Sequence, residues 1–253
     1  MNQLQMPQAH GIVKLFHNLI QSFLGVNGIA GGKRVGRVEA NANAALLLNS
    51  VPNRPQLLKL KAKKKIDFCL VIESEGTANT FVANGFCKRH QTILIGAQGV
   101  PSNAVRGWVK LIQDELRIPI YFFGDLDAYT MQNIFRTLKA GSAASLIRNS
   151  DFSAPDVRFL GVLPEDIKKY ELHDYAVKEH DIQEARSLKK AADALKNDPF
   201  FKDKRNRGLA KILEWLLKNK RRCEQQAYFM VDPRDPTMPE KIIVDKIKKE
   251  HFV

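Results

Sequence analysis

Glu73 directly follows the apolar run 66–72, and Asp125 and Asp127 follow the apolar run 118–123. In an extended chain, side chains two apart point the same way, so Asp125 and Asp127 can share one ligand. Carboxylates brought this close repel one another, and a hard divalent cation relieves the repulsion. Magnesium suits such a set: it takes oxygen ligands, keeps waters, and binds phosphates beside one or two carboxylates. In phosphoryl transfer it neutralises charge on the non-bridging oxygens and orients the reacting phosphate. An isolated Asp-x-Asp reads equally as a solvated acidic turn; the joint placement at two strand ends is what carries specificity. Glu75 is either an outer carboxylate of the same site or a helix-start acid favoured by the dipole.

Gly96-Ala97-Gln98-Gly99 and Pro101 follow a third apolar run and lead toward Arg106. The glycines permit close approach of backbone to a ligand, and an arginine there offers bidentate donors to a phosphate. A routine strand-to-helix turn with a surface arginine is the competing reading.

These groups need a scaffold that gathers strand ends, and the residue pattern supplies one. The β-branched and apolar run 66–72 predicts a buried strand, followed by a helix over 77–86 and a strand over 92–95. Val105, Trp108, Val109, Ile112 and Leu116 form the apolar stripe of a helix over 104–116. A strand over 118–123, a helix over 129–140 and a short strand over 158–162 complete the alternation. That order predicts an α/β fold, a mostly parallel sheet flanked by helices, with ligands at the carboxyl ends of its strands.

Past residue 165 the pattern is helical: 181–195, a break at Pro199-Phe200-Phe201, 207–229, a link through Pro233 and Pro236, then 239–251. Ahead of the core, Ile12, Leu15, Phe16, Leu19, Ile20 and Phe23 are spaced as an amphipathic helix, which Gly25 and Gly28 stop. Its apolar face either packs on its own domain or docks onto a partner. Gly31-Gly32-Lys33-Arg34 opens a basic strand-like piece, and extended structure resumes over 57–60. The predicted organisation is a basic segment over 1–65, an α/β domain over 66–170, and a mainly helical region over 171–253 packed on that core.

With 44% hydrophobic and 26% charged residues in 253, the chain has the composition of an ordinary globular protein. Three scattered cysteines argue against a disulfide framework or a zinc cluster and fit a reducing intracellular compartment. No apolar run approaches the roughly 20 residues of a membrane span, and no basic n-region precedes 12–29 as in a signal peptide. A net charge of +13 predicts an anionic partner, nucleic acid foremost. Residues 1–66 hold ten Lys and Arg against one acid, Glu39. Among them Lys33, Arg34, Lys61, Lys63, Lys64 and Lys65 are candidate DNA contacts, although the run 61–65 reads also as a solvated face.

Several motifs then fall in a recognisable order: Val71-Ile72-Glu73-Ser74-Glu75, Gly99-Val100-Pro101 with Arg106, and Phe123-Gly124-Asp125-Leu126-Asp127. Lys139-Ala140-Gly141-Ser142, Phe159-Leu160-Gly161-Val162 with Pro164 and Asp166, and Met238-Pro239-Glu240-Lys241-Ile242 follow. Over roughly residues 66–250 the chain resembles the A subunit of DNA topoisomerase VI and the related meiotic double-strand-break proteins, in their Toprim domain and C-terminal region. The resemblance implies a Toprim-type, Rossmann-like sheet in which Glu73, Asp125 and Asp127 bind Mg2+ and support DNA cleavage and rejoining. It places Gln98 where the family has a phosphate-contacting lysine and Ser102 where the family has an aspartate.

In that family the catalytic tyrosine lies in a winged-helix domain ahead of Toprim, attacks a DNA phosphate and stays linked to the 5′ end. All five tyrosines here, Tyr121, Tyr129, Tyr170, Tyr175 and Tyr228, fall at or after position 121. The expectation is a chain that does not cleave DNA covalently by itself: one half of a protein split in two, a truncated gene product, or a repurposed binding module. A noncatalytic DNA-binding or structural protein, and a metal-dependent nuclease using activated water, are the alternatives. The partners the resemblance implies are DNA, a second copy as a homodimer, and two separate chains, one an ATPase subunit, the other a tyrosine-bearing winged-helix subunit. No Gly-rich loop ending in Lys-Ser/Thr gives this chain an ATP site of its own. The implied location is intracellular: the cytoplasm or nucleoid, in association with the chromosome, or the nucleus in a eukaryote.

Overall fold

A computed structural model describes residues 24–30, 33–39, 58–62, 65–141, 149–178 and 182–253. Its central sheet holds β4 (Phe68–Ile72), β5 (Thr92–Gly96), β6 (Ile120–Phe123) and β7 (Arg158–Phe159), all parallel, in the order β5-β4-β6-β7. Every residue of β4, β5 and β6 is buried. Helices cover both faces, which is why these strands read as continuous apolar runs without alternation. The predicted α/β class is the observed one.

The crossovers are α1 (Glu75–Ala83) with the short α2 (Phe86–Arg89) after β4, and α3 (Asn103–Leu116) after β5. Ser74 caps α1 through Thr77 N–H, and Ser102 caps α3 by accepting from Val105 N–H at 3.3 Å. After β6 the chain makes a wide π-helical turn, Thr130–Phe135, that continues into α4 (Arg136–Ala140). Chain order places β5 on one side of β4, then returns to β6 on the other. Such a reversal opens a crevice at the strand ends.

The C-terminal part contains α5 (Pro164–Lys169), β8 (Tyr175–Ala176), α6 (Ile182–Asn197), α7 (Pro199–Lys202) and α8 (Arg207–Asn219). It continues through β9 (Arg221–Arg222), a 3-10 turn at Gln225–Met230 and α9 (Met238–Lys248). The helix expected over 207–229 is therefore corrected. It ends at Asn219, with Lys220 in the left-handed region at φ 48°, and β9 then pairs antiparallel with β8. Two further contacts fasten this part to the sheet. Val253 and Phe159 exchange backbone hydrogen bonds of 2.9 and 2.5 Å. The fully buried Lys246 Nζ donates to Asp166 Oδ2 at 2.5 Å and to the Gly161 carbonyl at 2.7 Å, and Tyr228 Oη donates to the same carboxylate at 2.7 Å.

Ahead of the core, β1 (Leu24–Ala30), β2 (Lys33–Glu39) and β3 (Leu58–Ala62) form an antiparallel sheet in the order β2-β1-β3. Gly25 and Gly28 lie inside β1 rather than marking a helix end. The rest of the helix expected over 12–24 falls outside the described residues.

Candidate functional site

Glu73 stands one residue beyond β4, and Asp125 two beyond β6, on strands paired through Ile72 and Phe123. Glu73 N–H extends that pairing by donating to the Phe123 carbonyl at 2.9 Å. The Glu73 carboxylate then reaches across the strand ends, where Oε2 accepts from Asp125 N–H at 3.1 Å. Thr130 joins the set. Its hydroxyl lies 3.0 Å from the Glu73 carboxylate, while its N–H donates to Asp127 Oδ1 at 2.7 Å. A carboxylate three residues ahead of a helical N–H is a helix-start pattern, so Asp127 and Thr130 were jointly legible in the sequence, though the Thr130 link to Glu73 was not.

Two glycines allow the approach. A Cβ on Gly124 would lie 2.6 Å from Glu73 Oε2, and one on Gly161 would lie 2.2 Å from the Gly124 carbonyl oxygen. The chain at the ends of β6 and β7 is thus packed backbone on backbone beneath the acidic residues.

The segment after α8 completes the surroundings. Leu126 and Cys223 exchange backbone hydrogen bonds of 2.8 and 3.1 Å, and Gln225 N–H donates to Asp125 Oδ1 at 2.9 Å. Arg222, bonded to Glu184 at 3.0 Å and to Glu224 at 3.1 Å, places positive charge near Asp127. The sequence pattern, read as an uninterrupted helix over 207–229, missed all of these.

The electrostatics follow from burial and crowding. Burial first, then the charges of Asp125 and Asp127, push the Glu73 carboxyl up to about 8. Burial chiefly raises Asp125 to about 6, with the Gln225 N–H opposing and the Asp127 charge adding to the rise. Asp127 is raised by burial as well, against the Thr130 N–H and the Arg222 cation. Three acids that each resist ionisation beside the others form a site short of positive charge. Among the described residues, however, no group of three or more His, Cys, Asp or Glu side chains is spaced to enclose a metal ion.

The remaining candidates are dispersed. Gln98 is exposed at φ 57° and donates to Glu75 Oε2 at 3.3 Å, while Gly99 N–H donates to the Glu73 carbonyl at 3.1 Å, so the glycine loop lies along the end of β4. Arg106 is only 4% exposed. Its guanidinium donates to the Phe152 carbonyl at 3.2 Å and to Asn103 at 3.3 Å, held inward rather than open to solvent. Lys65 is exposed and pairs with Asp67 at 2.8 Å. Lys33, Arg34 and Lys61 sit in the β1–β3 sheet opposite Ala30, Ile29 and Gly25; Lys63 and Lys64 lie outside the described residues. Tyr129 is 47% exposed at a cavity beside Asp127 that Leu188 and Arg222 also line.

Residues 68–242 match the family model of the Toprim domain of the topoisomerase 6 A subunit and Spo11. The chain is 35% identical over 196 residues to the A subunit of type 2 DNA topoisomerase 6 from Methanocaldococcus jannaschii, covering 76% of this chain and 50% of that protein. The proteins of the same name from Natronomonas pharaonis (28% over 177 residues; 70% and 45% covered) and Pyrococcus horikoshii (30% over 169; 64% and 43%) are further relatives. The chain spans about half the length of these curated relatives. With the parallel sheet, the acidic strand ends and a family match over most of its length, the chain belongs to the Toprim family of topoisomerase 6 A subunits and Spo11.

Proposed function

We propose that this chain is the magnesium- and DNA-binding Toprim component of a topoisomerase VI-like (type IIB) strand-cleavage and rejoining machinery. In this reading residues 66–170 form the Toprim unit and 171–253 its helical extension. The carrying observation is the clustering of Glu73, Asp125 and Asp127 at the ends of two adjacent parallel strands, in a chain of this family. Glu73 and Asp125 are raised by burial and by neighbouring carboxylates, and Asp127 by burial, so a divalent cation is the species that best relieves the site. Magnesium bound through one or two carboxylates, its waters and a DNA phosphate matches this donor set and needs no closed protein cage. When bound, it supplies charge neutralisation at the phosphate.

The chain's own residues do the positioning. Asp125 N–H and Thr130 Oγ1 orient Glu73, Thr130 N–H orients Asp127, and Gln225 N–H orients Asp125. The attacking tyrosine comes from a winged-helix unit outside these 253 residues, and an ATPase subunit uses ATP; a second copy of this protein completes a dimer. The test is incubation of the purified protein with supercoiled DNA and Mg2+, with and without a tyrosine-bearing partner. Cleavage is expected only in the mixture, and Asp125→Asn abolishes it. Nicked or linear product from the chain alone, lost in Asp125→Asn, overturns the dependence on a partner and makes the protein a nuclease.

A further inference from the structure

Beyond the basic β1–β3 sheet, positive charge is concentrated on one element group. Residues 182–222 hold 13 Lys and Arg against five Asp and Glu, a net +8, whereas 67–181 together with 223–253 carry a net −4. The segment's acids are largely engaged: Asp198 pairs with Arg136 at 2.6 Å, Asp203 with Arg205 at 2.6 Å, and Glu184 with Arg222 at 3.0 Å. Most of the lysines are left over.

The fold places five of these cations at a tip, whereas Arg221 and Arg222 line the cavity beside Asp127. α6 packs along α8 through Leu188, Ala191, Leu195, Leu209, Ile212 and Leu216, with α7 and the 3-10 turn Lys204–Asn206 between them. Apolar residues face inward, so the polar stripes of both helices face outward. Lys196 at the end of α6, Lys202 and Lys204 in the connection, and Arg207 and Lys211 at the start of α8 are all exposed. None has a carboxylate within salt-bridge reach among the described residues. The tip lies away from the acidic centre: Arg136, its contact through Asp198, is six residues along a helical segment from Thr130, and α4 ends four further on. The contact at Arg136 is thus on the order of 10 Å along the axis from Thr130.

We infer that the α6–α8 tip is a second polyanion-binding surface, which takes the phosphate backbone of duplex nucleic acid independently of the acidic site. Five outward cations without acidic partners suit the repeating charge of a duplex, whose phosphates they would contact without reading bases. The inference rests on the nucleic-acid reading only for its choice of polyanion. The acidic site plays no part in it, so the two fail separately.

The test measures binding of the full chain to a 30-base-pair random duplex by fluorescence anisotropy over a series of salt concentrations, without Mg2+. A variant with Lys202→Gln, Lys204→Gln, Arg207→Gln and Lys211→Gln is compared with wild type and with a control, Lys88→Gln with Lys248→Gln, which neutralises two exposed lysines outside the tip. Each lost phosphate contact removes about 0.9 from the slope of log K against log salt. The quadruple variant is expected to bind more than tenfold more weakly at 0.1 M salt, with a slope smaller by about 3.6, while the control with Lys88→Gln and Lys248→Gln keeps the wild-type slope. Circular dichroism and melting temperature matched to wild type establish that the exposed substitutions leave the fold intact. Should the quadruple variant destabilise the chain, the pair Lys202→Gln and Lys204→Gln is measured instead, with an expected slope change of about 2. Wild-type affinity and slope in a folded variant overturn the proposal. So does a surface that binds vesicles of 30% phosphatidylserine through these lysines while duplex binding stays unchanged.

Discussion

At Glu73 a carboxylate sits where water is scarce and two other acids are close. Its carboxyl, up to about 8, therefore lies above the value in an unfolded chain. A group raised on folding contributes stability below its unfolded pKa and loses that contribution as pH rises through the folded pKa. Between about pH 5 and pH 8 the metal-free wild type should thus lose stability relative to Glu73→Gln, which has no charge to bury. Thermal melts across that window are expected to show the variant's advantage growing with pH, and added Mg2+ closing the gap from the wild-type side only. A gap that is flat with pH, or that shrinks, would sink the account of a crowded anionic site. The backbone beneath is equally constrained. In Gly161→Ala the new methyl meets the Gly124 carbonyl at 2.2 Å, and overpacking of this kind costs about 1–3 kcal/mol. Urea denaturation should register that loss, and Mg2+-dependent stabilisation should fall with it, because Gly124 lies directly under Glu73. Wild-type Mg2+ stabilisation in Gly161→Ala would separate the glycine contact from the site.

Elements were legible where a single force shaped them. Strands β4, β5 and β6 are apolar because they are covered on both faces, and that alone marked them in the sequence. α3 showed its stripe from Val105 to Leu116 for the same reason. Where tertiary contacts took over, the pattern misled. The α8 face that begins at Leu209 runs through Ile212, Leu213 and Leu216, but its next positions are Lys220 and Glu224, and there the helix stops. That polar interruption was the available signal for the segment that bonds Asp125 and Leu126. The buried ion pair between Asp166 and Lys246 had no local signature, since its partners are 80 residues apart. Its energetics are asymmetric. Breaking one side of a buried pair typically costs about 3–5 kcal/mol, whereas replacing both with apolar groups is often near neutral. Lys246→Met should therefore destabilise strongly in urea, Tyr228→Phe by about 1 kcal/mol through its lost hydrogen bond, and Asp166→Leu with Lys246→Met should recover much of the loss. A double variant as unstable as Lys246→Met would show that the ion pair is not the source of the cost.

For the molecule as a whole, the division expected near residue 170 meets contacts that cross it at every level. Gln225 holds Asp125, Cys223 pairs with Leu126, Tyr228 and Lys246 satisfy Asp166, Val253 extends β7, and Glu240 is 6% exposed between Arg89 and His90. Tyr228 also stacks near Phe123 at 5.8 Å between ring centroids. Composition changed at residue 170 because strands gave way to helices, and that change says nothing of which surfaces those helices cover. A piece comprising residues 66–170 would expose Phe123 and leave Asp166 buried or half-buried without its cation. The loss of that one partner, about 3–5 kcal/mol, is already a large share of the 5–15 kcal/mol that stabilises a typical domain. The expected outcome is a piece without a cooperative urea transition and with weak near-ultraviolet circular dichroism, while residues 66–253 unfold in a single step. Adding residues 171–253 as a separate chain should restore part of the signal, since the contacts are noncovalent. A cooperative transition in 66–170 alone would mean that the sheet and its acidic ends stand without the helical region. Asp125 would then keep its raised carboxyl without Gln225 to oppose it.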